Sequence, residues 1–157
     1  TIGNFSHDEA TAFLRRVADL VGRDGGLLVG IDRKKDPAVI EAAYNDSLGV
    51  TAAFNLNILR RLNEIGADFD LGAFRHEAPY RAEEGRIEMH LVSQRDQSVR
   101  IGNTRVQLAA GERIVTEHSH KYDLDQFEAM AHSAGFRLSR HWSDERDWFS
   151  VCFLEVV

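Results

Sequence analysis

Residues 26–31 read GLLVGI, an unbroken apolar run between two polar turn segments. Such a run is typical of a strand buried on both faces of a parallel sheet. Ahead of it, Ser6 and Glu9 have the spacing of a capping box, which marks the start of a helix. The sequence therefore predicts a helix and then a buried strand, one α/β unit. The helix has an apolar stripe formed by Phe13, Leu14, Val17, Leu20 and Val21.

The end of the chain has the pattern of a helix followed by two strands. Apolar residues recur at helical spacing from Asp123 to Gly135, and two β-like segments follow, Phe136–Trp142 and Trp148–Val157. We expect these segments to form an antiparallel hairpin. A helix with a terminal hairpin is typical of the end of a doubly wound sheet.

The middle of the chain has a different pattern, with two helices followed by short strands. Pro37 suits the first turn of a helix that carries Tyr44 on its apolar face, and a second helix is predicted over Val50–Ile65. Its predicted inner face comprises Ala53, Phe54, Asn57, Ile58 and Leu62. The strands predicted after it are Phe74–Arg81, Arg86–Ser93, Val99–Ile101, Thr104–Leu108 and Gly111–Glu117.

Composition excludes several classes of function. The 157 residues carry a formal net charge of −6, which argues against mainly electrostatic binding to nucleic acid or to an anionic membrane. The single cysteine, Cys152, excludes an internal disulfide. We predict no membrane helix, because none of the apolar runs approaches about 20 residues. The absence of a secretory leader predicts a cytoplasmic protein.

Motifs for metal or nucleotide binding are weak. His118 and His120 could be two metal ligands, but no third ligand has suggestive spacing, so we predict no metal site. A dinucleotide site would need a Gly-rich turn after the first strand, and the sequence has none. Any nucleotide-like cofactor is therefore expected to be held mostly by residues that are not in this sequence.

Four polar residues form the strongest candidate site. Asn4 is predicted to lie at the end of a first strand, where ligands bind in open α/β sheets. Tyr44 ends an apolar helix face, and Glu117 and Ser119 share one side of a strand end because their spacing is two residues. Together these groups would form a polar pocket with one carboxylate, suited to a small zwitterion.

Six segments of the sequence carry a resemblance to a known family. They resemble the histidine-specific methyltransferases of ergothioneine biosynthesis, occur in the family's order and span most of the chain. The segments are Thr1-Ile2-Gly3-Asn4, Lys35-Asp36-Pro37, Ala42-Ala43-Tyr44-Asn45-Asp46, Gly49-Val50-Thr51-Ala52-Ala53-Phe54-Asn55, Arg86-Ile87-Glu88-Met89 and Thr116-Glu117-x-Ser119-x-Lys121-Tyr122.

The resemblance implies an enzyme that uses S-adenosyl-L-methionine to trimethylate the α-amino group of L-histidine, giving hercynine. It also implies the fold class: α/β, the C-terminal half of a Rossmann-like class I methyltransferase with an inserted α+β substrate-recognition domain. Residues 1–35 and 122–157 would belong to the methyltransferase domain. Residues 36–121 would form the insert.

The resemblance also assigns roles in the site. Asn4 would be the catalytic group that holds the substrate α-amino group, and Tyr44 would bind the carboxylate. Glu117 and Ser119 would bind the imidazole ring of the substrate. The positions that line or support the same pocket would be Thr51, Phe54 and Met89.

The departure from the family is the absence of its N-terminal half, which carries the Gly-rich cofactor loop. Cofactor-binding residues are therefore not assigned, and we expect the chain alone to be inactive. A missing N-terminal half, or a second copy pairing through an exposed sheet edge, would be its macromolecular partner. Two alternatives stay open: a methyltransferase for another histidine derivative, such as a sulfur-substituted imidazole, and a non-catalytic histidine-binding module.

Overall fold

The computed structural model describes residues 2–157, so the first residue of the motif at the N-terminus lies outside the described part. The helices are α1 (His7–Val21), α2 (Pro37–Tyr44), α3 (Val50–Glu64) and α4 (Leu124–Ser133). The strands are β1 (Gly26–Asp32), β2 (Phe74–Glu77), β3 (Tyr80–Arg81), β4 (Arg86–Ser93), β5 (Gln97–Ile101), β6 (Thr104–Leu108), β7 (Arg113–His120), β8 (Phe136–Ser143) and β9 (Phe149–Val156). Short 3₁₀ turns span Ile2–Asn4 and Leu71–Ala73.

Two compact units divide the chain. Unit 1 contains residues 2–36, 81–86 and 118–157, and unit 2 contains residues 37–80 and 87–117. The boundaries at residues 36 and 121 and the identity of the insert as a substrate-recognition domain stay predictions, because compactness alone assigns no role to a unit.

The sheet of unit 1 has the strand order β1-β9-β8. Strands β8 and β9 are antiparallel, so the predicted terminal hairpin is confirmed. Strand β1 also pairs antiparallel, with β9, and Leu28 on it is 63% exposed. The prediction of a strand buried on both faces of a parallel sheet was therefore wrong for the residues described. The second arm of the hairpin runs back along β1, and an apolar run carries no information about the direction of its neighbour.

Helix α1 starts where its capping box predicts. The Ser6 hydroxyl accepts a hydrogen bond from the Glu9 amide at 3.3 Å, and the Glu9 carboxylate accepts one from the Ser6 amide at 2.8 Å. The predicted stripe is wrong at Leu20 and Val21, which are 84% and 37% exposed. The buried stripe consists of Ala10, Leu14 and Ala18. Its two alanines leave room for the close approach of neighbouring elements, which a search for large apolar residues overlooks.

The core of unit 1 combines both helices with the sheet. It contains Leu14 of α1, Phe127 of α4 and Leu154 of β9, all fully buried. The rings of Phe127 and Tyr122 meet edge to face, with centroids 5.6 Å apart. This aromatic centre joins α4 to the segment that follows β7.

Unit 2 is built on antiparallel strands. Strand β4 pairs with β2, β3 and β7, and β5 and β6 form a hairpin around Gly102-Asn103, as the turn signal predicts. The single strand predicted over Phe74–Arg81 is instead two strands, interrupted at Ala78 and Pro79. Proline has no amide proton, so it cannot donate to a ladder at that position.

Helix α3 presents a different face to the core from the one predicted. Its buried residues are Asn55 and Leu59, whereas Phe54 is 64% exposed and Ala53, Asn57 and Ile58 are also exposed. The predicted inner face was therefore wrong except for Leu62, which packs against the core cluster. Successive residues of a helix are rotated by about 100° about its axis, so a face centred on Phe54 differs widely from one centred on Asn55. A prediction based on apolar residues alone would not assign an asparagine to the buried face.

Candidate functional site

Asn4 lies in a 3₁₀ turn and is exposed, so its predicted position at a strand end is wrong. The turn is held against the end of β7, where His120 Nδ1 donates to the Gly3 carbonyl at 3.0 Å. A Cβ atom on residue 3 would lie 2.8 Å from the His120 carbonyl oxygen, so only glycine allows this approach. Burial lowers the pKa of His120, which favours the neutral form of the ring.

Ser119 lies near the end of β7 and is oriented by a buried lysine. Lys121 Nζ donates to the Ser119 hydroxyl at 2.9 Å and to Asp32 Oδ2, at the end of β1, at 2.8 Å. Burial raises the pKa of Asp32, but the hydrogen bonds and charges of Lys121 and Lys35 outweigh it, so that the net pKa is lowered. Asp32 is thus the counter-ion of a lysine that is almost completely buried.

Tyr44 and Met89 belong to one apolar cluster in unit 2. Met89 on β4 is buried with Ile40, Ala78 and Ile87, and Tyr44, the last residue of α2, packs against this cluster. Two residues that the sequence assigned to one site therefore belong to one apolar cluster in the structure.

Thr51 lies in the first turn of α3, next to a carboxylate that caps the helix. Asp46 accepts hydrogen bonds from the backbone amides of Val50, at 2.9 Å, and Thr51, at 2.8 Å. The Thr51 hydroxyl also bonds to this carboxylate. Because Gly49 at the N-cap position has no side chain, Asp46 supplies the acceptor that the helix end needs. These bonds, those of Thr51 first, lower the pKa of Asp46 to about 2.

The Asp46 cap predicts a specific pH dependence of stability. A carboxyl group whose folded pKa, about 2, lies below its ordinary 3.8 stabilises the fold above pH 4 and stops doing so as the pH falls through 2. Asp46→Asn keeps an acceptor but loses the titrating charge. We expect the Tm of wild type to exceed that of Asp46→Asn most above pH 4, and the difference to shrink towards pH 2. Circular dichroism melts measure it.

The control for this prediction is Asp19→Asn, which removes a carboxylate from the exposed side of α1. Its Tm difference from wild type is expected to stay small and flat over the same pH range. A Tm difference for Asp46→Asn that does not change between pH 5 and pH 2 would contradict the capping role.

Phe54 lies on the exposed face of α3. It lines an open groove of about 440 Å³ together with Asn57, Ile58, Arg61, Leu62 and Ile65. The position of Phe54 is therefore compatible with contact to a ligand, and its ring is not part of the core of unit 2.

Glu117 lies in β7, two residues before Ser119, and is partly buried. Its carboxylate makes no hydrogen bond or ion pair with any of residues 2–157. Both oxygens thus keep their full capacity to accept hydrogen bonds. The period-two spacing of Glu117 and Ser119 along one strand is as predicted.

Sequence reasoning missed a buried polar network in unit 2. Asn55 is 0% exposed: its Oδ1 lies 2.6 Å from the Thr116 hydroxyl, and its Nδ2 donates to the His90 carbonyl at 3.1 Å and to His76 Nδ1 at 3.0 Å. An asparagine inside a helix whose neighbours are apolar was the available signal. The partners come from β2, β4 and β7, so their meeting depends on the sheet.

Residues 2–157 form neither a metal-binding cluster nor a membrane-spanning helix. Within residues 2–157, no group of three or more His, Cys, Asp and Glu side chains is placed to hold a metal ion. Among the same residues, no helix combines the length and the apolar character needed to cross a membrane.

Comparison with known proteins adds independent findings. A family model described as "Histidine-specific methyltransferase, SAM-dependent" matches residues 1–156. Histidine N-alpha-methyltransferase of Mycolicibacterium smegmatis is 42% identical over 154 residues, which cover 96% of this chain and 48% of the relative. The protein of the same name from Mycobacterium tuberculosis is 40% identical over the same shares of both chains. The chain spans about half the length of the curated relatives it matches.

Comparison of backbones agrees with the sheet and helices described above. A S-adenosylmethionine-dependent methyltransferase from Clostridium acetobutylicum matches with a TM-score of 0.51 at 8% identity, over 99% of this chain and 55% of the other. At this identity the likeness concerns the fold alone. The structure is therefore part of a Rossmann-like methyltransferase fold.

Proposed function

Because the chain belongs to the family of histidine-specific, S-adenosylmethionine-dependent methyltransferases, we propose that it is part of an enzyme that methylates the α-amino group of L-histidine. The product would be hercynine, formed by three transfers in ergothioneine biosynthesis. The observation that supports this most strongly is 42% identity to a histidine N-alpha-methyltransferase over 96% of the chain. The motifs that suggested the family from sequence lie within the same match.

The substrate would be held by the residues that the family resemblance assigns. We propose that Glu117 accepts the imidazole N–H and that Ser119 bonds to the other ring nitrogen. Tyr44 would bind the carboxylate and Asn4 the α-amino group, with Thr51, Phe54 and Met89 lining or supporting the pocket. The unpaired carboxylate of Glu117 and the lysine-bound oxygen of Ser119 support these roles.

For methyl transfer to occur, this chain would have to position the substrate and favour the neutral form of its amine. A protonated amine has no lone pair, so the ammonium must lose a proton before it can attack a methyl group. The amide oxygen of Asn4 can accept a hydrogen bond from the amine without stabilising the ammonium as a carboxylate would. Correct orientation of amine and methyl then accounts for much of the rate.

S-adenosylmethionine would supply the methyl group as a sulfonium electrophile. Among residues 2–157, no Gly-rich turn follows a strand, so none of them is assigned to the cofactor. The roles proposed for this chain therefore concern the substrate.

Domain roles and location follow from the same proposal. Unit 2 would be the substrate-recognition insert, predicted over residues 36–121, and unit 1 part of the methyltransferase domain. β1 lies at an edge of the sheet in the described structure, where another part of the protein or a second copy could pair. We place the enzyme in the cytoplasm, and the buried, unpaired thiol of Cys152 fits a reducing compartment.

The test is turnover by the natural full-length protein, with L-histidine and S-adenosylmethionine as substrates. Mass spectrometry is expected to show histidine carrying up to three methyl groups, and NMR to place them on the α-nitrogen. Faster turnover of a sulfur-substituted histidine would favour the alternative substrate. Histidine binding without any methylated product would favour a binding module and contradict the enzyme proposal.

A further inference from the structure

The backbone of Tyr44 is held by a side chain that the family motifs do not include. His76 on β2 places its Nε2 at 2.9 Å from the Tyr44 carbonyl oxygen. Tyr44 is the last residue of α2, and the final carbonyls of a helix have no partner within the helix. His76 therefore donates to the backbone of the residue proposed to bind the substrate carboxylate.

The roles of the two His76 nitrogens follow from their neighbours. A carbonyl oxygen only accepts, so the Asn55 nitrogen must face the His90 carbonyl, at 3.1 Å. The same nitrogen lies 3.0 Å from His76 Nδ1, which therefore accepts. The proton of the neutral ring is then on Nε2, which donates to Tyr44. The buried amide of Asn55 thus selects the tautomer that holds the tyrosine.

A second contact docks the same end of α2 without using His76. Asn45 Nδ2 donates to the Ala78 carbonyl at 2.9 Å, and the Ala78 amide donates to Asn45 Oδ1 at 3.0 Å. Loss of the His76 bond should therefore leave α2 attached and change only the orientation at Tyr44. Because Asn45 attaches the helix and His76 hydrogen-bonds to Tyr44 there, a variant of His76 can be used to measure its local role.

We propose that His76 is a positioning residue for substrate binding, acting through Tyr44, with its tautomer set by Asn55. The inference rests on the proposed function, since it concerns the same histidine site. His76 orients the peptide that carries Tyr44, and its expected signature is a change in the KM for histidine. The KM for S-adenosylmethionine is expected to stay unchanged.

Two variants in the natural full-length protein, each of which replaces the hydrogen bond of one ring nitrogen, separate positioning from simple packing. His76→Asn places an amide oxygen near the Nδ1 position, so it keeps the bond with Asn55 but cannot reach Tyr44. His76→Gln places an amide nitrogen near the Nε2 position and keeps the donor to Tyr44. We expect the histidine KM to rise about threefold to tenfold in His76→Asn and to stay within about twofold of wild type in His76→Gln.

A double variant tests whether the effect passes through Tyr44. If it does, the histidine KM of the double variant His76→Asn/Tyr44→Phe, relative to wild type, should be much smaller than the product of the fold-changes of the two single variants. Multiplicative effects would overturn the inference. So would a normal histidine KM in His76→Asn, or a defect in His76→Gln instead, since the role of His76 would then be to brace Asn55.

Wild-type turnover separates the two proposals. A wild-type protein that methylates histidine while His76→Asn has a normal KM would overturn the positioning role alone. A wild-type protein with no histidine turnover would overturn the proposed function, and the positioning role with it. Thermal melts of the His76 variants are expected to stay close to wild type, and a large fall in the Tm of His76→Asn would assign His76 to stability instead.

Discussion

Replacing Glu117 with alanine is expected to weaken histidine binding by about 10- to 150-fold, while affinity for S-adenosylmethionine stays unchanged. The physical reason is the loss of a charge-assisted hydrogen bond to the imidazole N–H, worth about 1.5–3 kcal/mol. Glu117 has no other partner among residues 2–157, so its removal should disturb little else. Calorimetric titration of the natural full-length protein with each ligand measures both affinities.

Two controls accompany the Glu117 prediction. Glu117→Gln keeps an acceptor oxygen without the charge, so its loss of affinity should be smaller than that of alanine. Glu84→Ala removes an equal charge from an exposed turn and should leave histidine affinity unchanged. Unchanged histidine affinity in Glu117→Ala would refute the role assigned to this carboxylate.

The largest loss of stability is expected from Phe127→Ala. Phe127 is fully buried where α4 meets the core of unit 1, and its ring packs edge to face against Tyr122. Truncation removes most of an aromatic ring from a packed core and leaves a cavity. The free energy of unfolding should therefore fall by about 3–5 kcal/mol. Urea titration of the natural full-length protein measures the change.

The matched control is Phe149→Ala on β9, where the side chain is 47% exposed. Its ring covers Gly30 on the neighbouring strand, so we expect a loss of only about 1 kcal/mol. Equal losses for the two variants would contradict the assignment of Phe127 to the centre of the core.

Predictions that depend on neighbouring residues in the chain were confirmed. The capping box at Ser6 starts α1 because donor and acceptor are three residues apart. The hairpins at Gly102-Asn103 and between β8 and β9 form because a short turn determines which strands meet. Family motifs are also local strings of residues, which explains why the sequence alone indicates the family.

Predictions that depend on distant packing were wrong or incomplete. The buried face of α3 is set by Asn55, whose amide is satisfied by residues of β2, β4 and β7. The exposure of β1 depends on which strands lie beside it, and the 3₁₀ turn at Asn4 depends on a close approach to His120. None of these partners is near in sequence.

By itself, the sequence determined the helix starts, the hairpin turns, the family and the names of the candidate site residues, because each is written in contiguous or regularly spaced residues. Only the tertiary structure decided which helix face is buried, which strands neighbour β1 and which side chains hold Tyr44 and Ser119. Buried hydrogen bonds require groups from separate elements to converge within about 3 Å, and no sequence spacing encodes that convergence.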